Sequence, residues 1–150
     1  MSGSPSRVVR LSKAFEFGTL NDPNGFIDYP NLSDQQAFAV DRFVYAVSNG
    51  NSLPGKNKPS WQDNHGNRMP NTQSYEKEGF WHYHSGPSYS QRAITSMTFD
   101  LNVNIDGITS AEVLFYVKES DGSITVEGFC ANHYPFPQSD DPEKPHPLFS

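Results

Sequence analysis

Along the 150-residue chain the spacing of hydrophobic positions changes from helical to alternating. Across 32–47, Ala37, Val40, Val44 and Val47 recur three and four apart, and Phe43 widens the stripe. Ser33 is a good N-cap, and Gln36 three residues later completes a capping box. Asp34 places a negative charge in the first turn, and Asn49-Gly50 supplies the stop. From Gly79 onward the chain reads as β, with strands expected over 80–84, 92–100, 112–118 and 124–132. Asp106-Gly107 and Asp121-Gly122 are turn signals, the second joining the last two strands as a hairpin. Before the helix, 8–17 carries Val8, Val9, Leu11, Phe15 and Phe17 in imperfect alternation, as for a strand fraying into a loop. Between helix and strands, 52–71 has little periodicity and reads as a long loop with room for a short strand. The expected fold is α+β: one main amphipathic helix packed on an antiparallel sheet of about four strands, with long loops.

Composition adds boundaries to this picture. The length suits a single domain over 1–150. Residues 1–6 and about 137–150 are expected to be extended or disordered, since the segment from Tyr134 carries five prolines and the acids Asp140, Asp141 and Glu143. The net charge of −6 gives no long-range help toward nucleic acid. A local basic patch is still available from Lys56, Lys58, Arg68 and Arg92. The one cysteine, Cys130, excludes an internal disulfide and lies in an apolar run, as a small buried hydrophobe. No apolar run approaches the roughly 20 residues needed to cross a bilayer, and the N-terminus lacks a signal-peptide core. The expected setting is the cytoplasm, without membrane contact.

The candidate chemistry centres on Trp81-His82-Tyr83-His84-Ser85-Gly86-Pro87. Alternation puts His82 and His84 on one face of a strand, and Trp81 and Tyr83 on the other. An unperturbed imidazole titrates near 6.5, so a pair of them can share proton transfer near neutrality. Cleaving RNA through its own 2′-hydroxyl needs a base, an acid and cations for the developing charge. His82 and His84 suit the proton work, and Lys56, Lys58 and Arg92 suit the phosphate. Trp81, Tyr83 or Tyr134 can stack a base. This chemistry needs no metal or other cofactor.

The order of these features resembles the RelE-like toxins, within the wider barnase–EndoU–colicin–RelE group of small ribonucleases. It runs loosely over about 33–134: a helix, the loop Gly55-Lys56-Asn57-Lys58, an aromatic strand, a strand bearing Arg92, and a final hairpin ending in His133-Tyr134. The chain departs from such toxins in being acidic and in having extra loop and tail. The resemblance implies a metal-independent endoribonuclease of the mRNA-interferase type. It adds Arg92 and His133 to the catalytic set, with RNA, free or on the ribosome, and a cognate antitoxin as partners.

Two other readings stand beside it. His82-x-His84, with His133 as a third nitrogen, has the ligand number of a catalytic zinc site, and cupin-like domains use a similar pair. No carboxylate follows within 85–92, however, where a cupin would need one. A non-enzymatic partner-binding or inhibitor protein would use the acidic surface and aromatic loops instead.

Overall fold

The computed structural model describes residues 7–90 and 96–149. Its elements are β1 (Val9–Leu11), α1 (Lys13–Glu16), α2 (Asp34–Ser48), β2 (Asn57–Pro59), α3 (Gln73–Glu78), β3 (Phe80–Tyr83), β4 (Val113–Lys118) and β5 (Ile124–Cys130). The strands form one α+β sheet in the order β1-β5-β4-β3-β2. Pairing is antiparallel except between β1 and β5.

The main helix forms where its capping residues place it. Gln36 N–H donates to Ser33 Oγ at 3.2 Å, and Ser33 N–H donates to Gln36 Oε1 at 2.9 Å. Two otherwise unpaired amides are thus satisfied at the first turn. The helix ends as Asn49 N–H reaches Tyr45 O and Gly50 turns to φ 70°. Its buried face is Ala39, Val40, Phe43, Ala46 and Val47, while Ala37 and Val44 flank it half-buried. This face covers Tyr83, Leu114, Tyr116, Val126 and Phe129 on one side of the sheet. The Phe43 ring lies 5.4 Å from both Tyr83 and Tyr116.

The opposite side of the sheet carries a second core of Phe26, Tyr75, Phe80, Val113, Phe115 and Cys130. Here α3 and the C-terminal segment take the place of a long helix. Residues 137–149 contain no helix or strand, yet Phe136, Leu148 and Phe149 pack on this core and His146 is buried within it. The expectation of an extended or disordered tail is corrected to that extent. Aromatic and imidazole rings give it enough area to be held against the sheet.

Three further expectations change. The sheet has five strands among the described residues, because β2 forms within 52–71 and pairs with β3, and β1 pairs with β5 across more than 100 residues of sequence. Only Val9–Leu11 of 8–17 is a strand, since Ser12 Oγ accepts from Phe15 N–H and caps the short α1. Residues 96–100 form no strand beyond a bridge of Thr98 to Leu53, and 91–95, with Arg92, lie outside the described residues, as do 1–6. No helix among the described residues is long and apolar enough to cross a membrane.

Candidate functional site: a histidine and lysine face beside the sheet edge

Strand register assembles the site. Lys58 pairs with His82, and His82 pairs with Phe115 on the next strand. Alternation then puts Lys56, Lys58, His82 and His84 on the face that carries Phe115, away from α2. Asn57, between the lysines, points the other way and is buried. It accepts from Tyr116 Oη–H at 2.7 Å and donates to Asn102 O at 3.0 Å, which fixes the strand that orients both lysines. Gly55 permits the close approach just before them. Its N–H donates to Tyr83 Oη at 3.0 Å, and a Cβ there would overlap the His84 carbonyl oxygen. The glycine therefore has a packing reason to precede Lys56.

His133 comes to the same face from the segment after β5. The His84 and His133 rings are 4.8 Å apart at 90°, and those of His82 and His84 are 5.8 Å apart. Each imidazole is held at Nδ1. His133 Nδ1–H donates to the Ala111 carbonyl at 2.7 Å, which leaves a lone pair on Nε2 of the neutral ring. His84 Nδ1 lies 3.0 Å from Ser110 O and 3.1 Å from Ser110 N, so either neutral tautomer finds a backbone partner. His82 Nδ1 meets Ser60 Oγ at 3.0 Å.

Burial sets the electrostatics. His82 is held well below the usual imidazole range by burial, then by the fields of His84 and Lys58. His84 is pushed down to about 3 by burial and then by His133. His133 is lowered by burial, with Lys56 and Lys58 adding to this and the Ala111 bond opposing it. Lys58 is brought down to about 8 by burial and by Lys56, while its Nζ donates to Asn64 Oδ1 at 2.9 Å. The arrangement is therefore neutral imidazoles beside lysines, one of which titrates near neutrality.

The expected residues divide accordingly. His82, His84, His133, Lys56 and Lys58 come together, and Tyr134 joins them with its ring centroid 3.9 Å from that of His133. Trp81 and Tyr83 do not. Tyr83 is in the core under α2, and Trp81 lies on that same far face beneath Lys118 Nζ, 3.6 Å from its ring. The alternation that unites the histidines separates these rings from them. Arg92 lies outside the described residues. Among the described residues no group of three or more His, Cys, Asp or Glu side chains is arranged to hold a metal ion. Ser60, Ser110, Ala111 and Phe136 complete the site and were not expected. Ser60 had a signal, since it continues the period-two row of Lys56 and Lys58. Phe136, whose ring is 4.7 Å from His82, had none.

Comparison with protein-family models, with curated proteins and with solved structures finds no match for this chain.

Proposed function

We propose that this face belongs to a metal-independent endoribonuclease of RelE-like toxin type, which cleaves RNA by attack of its own 2′-hydroxyl. The observation that carries the reading is His133: its Nδ1–H is committed to Ala111 O, which leaves Nε2 as a base in the field of two lysines on the same face. In the reaction, His133 Nε2 takes the 2′-hydroxyl proton as that oxygen bonds to phosphorus. The P–O5′ bond breaks, and the leaving oxygen takes a proton from Lys58, whose pKa near 8 suits an acid working close to neutrality. Lys56 stabilises the charge on the non-bridging oxygens. The products are a 2′,3′-cyclic phosphate and a 5′-hydroxyl, and proton exchange with water resets both groups. His84 and His82 hold the apolar side of the site as neutral rings. Tyr134, 62 % exposed, offers its outer surface to a base. RNA is the substrate on this reading, free or on the ribosome, and a cognate antitoxin is the protein partner.

The test is incubation of the purified protein with free RNA, with and without a strong chelator, and separately with RNA on ribosomes in magnesium buffer, where the ends are read. Cleavage that survives the chelator and leaves cyclic phosphate ends is the expected result. Cleavage abolished by the chelator, or ends other than these, would overturn the mechanism.

A further inference from the structure

The histidines are closed off in this structure. His82, His84 and His133 are 2 %, 3 % and 7 % exposed, too little for a phosphodiester to reach any of them. Much of the cover comes from one segment, residues 134–149. The Tyr134 ring lies 3.9 Å from that of His133 at a tilt of 38°, and Phe136 sits 4.7 Å from His82 and 6.3 Å from His133. The segment has no helix or strand, so no hydrogen-bond ladder ties it down. Separate side-chain anchors hold it instead, together with a backbone bond from Asp140 N–H to Asn71 O at 3.0 Å.

The anchors converge on α3. Leu148 N–H donates to His146 Nδ1 at 3.1 Å, which leaves the proton on Nε2 of the neutral ring. Nε2–H therefore donates to Tyr75 Oη at 2.8 Å, and Tyr75 Oη–H donates to Pro137 O at 2.7 Å. One hydroxyl thus fastens the segment at two points, Pro137 and His146. Asp140 accepts from Ser74 N–H and Oγ–H, each at 2.7 Å. Beside the segment a groove of about 660 Å³, lined in part by Asn24, Phe26, Gln138 and Lys144, leaves room for it to shift.

We propose that residues 134–149 are a strap that gates the histidine face, latched by Tyr75 and opened to admit substrate. The proposal rests on the ribonuclease reading for what enters, but not for whether the strap opens. A segment held on a stable sheet by a few side chains and a backbone bond, with no ladder, is the kind of unit that opens locally while the rest stays folded.

The experiment compares the wild type with Tyr75→Phe, which keeps the ring packing and removes the shared hydroxyl. Losing that hydroxyl leaves buried groups unpaired, enough for about a 10-fold rise in the open population. Asp140→Asn, at an exposed anchor, is the second variant should the first not fold. Three quantities are read on each full-length protein: amide exchange over 134–149, acylation of His133 by diethyl pyrocarbonate resolved by mass spectrometry, and cleavage of an RNA oligonucleotide. Exposed His65 is the internal control for acylation. Exchange, His133 acylation and cleavage rising together, with β4 and β5 exchange unchanged, support the strap. Faster exchange without faster His133 acylation overturns it, because the segment would then not be what covers the site. Faster acylation with no RNA cleavage by any variant leaves the strap standing and overturns the ribonuclease reading.

Discussion

Buried imidazoles make single residues of this protein sensitive to acid. His84 titrates near 3 and His146 near 4 in the folded chain, both because burial disfavours the charged ring, against about 6.5 when unfolded. The unfolded state therefore binds more protons between these values. The stability due to each group is complete above about pH 6.5 and is lost as pH falls toward its folded value. The histidine contribution to stability measured by denaturant should be flat above about pH 7, while Lys58 and Lys118, both brought down to about 8 by burial, add a rise with pH above about 8. It should decline from 6.5 to about 4.5 with a slope of at most about 1.4 kcal/mol per pH unit for each such histidine. His146→Gln should reduce that slope, and an unchanged slope would mean that His146 is not held neutral. At this scale the site was half legible. Alternation alone placed His82 with His84. The third histidine came from a family likeness, because no local pattern marks a residue that reaches the face after a hairpin.

Elements were legible where local signals were dense. The capping box around Ser33 and Gln36 marked the start of α2, and Ser33→Ala should cost about 1 kcal/mol, read from the denaturation midpoint. A loss under a few tenths would mean that the box contributes little here. The helix's buried face was only partly legible. A stripe read from Val40, Val44 and Val47 gives too little weight to Ala39 and Ala46, whose small side chains let the helix lie close to the sheet. The hairpin of β4 and β5 followed from Asp121-Gly122, where Asp121 Oδ1 accepts from Ser123 N–H and Gly122 has φ 88°. By contrast, α3 has six residues with Tyr75 as its buried one, too short for a periodic signal. Likewise β1 is three residues long, and its partner is set by tertiary contacts. The packing of the tail was not legible because prolines and acids look like disorder, while its anchors, Phe136, His146, Leu148 and Phe149, are spread between them.

For the whole molecule, the sheet carries a hydrophobic core on each side. One side packs against α2. The other holds lysines and neutral histidines, covered by the C-terminal segment, on a chain of net charge −6. The central claim is that His133 on this second side transfers a proton during RNA cleavage. The most direct measurement is the cleavage rate of His133→Ala beside the wild type, on the same RNA and with ribosomes present, after melting curves show both proteins folded at the assay temperature. Loss of a proton-transfer group predicts a fall of about 10²–10⁴ in rate. A variant that cleaves like the wild type, or a wild type that leaves the RNA intact, would contradict the account.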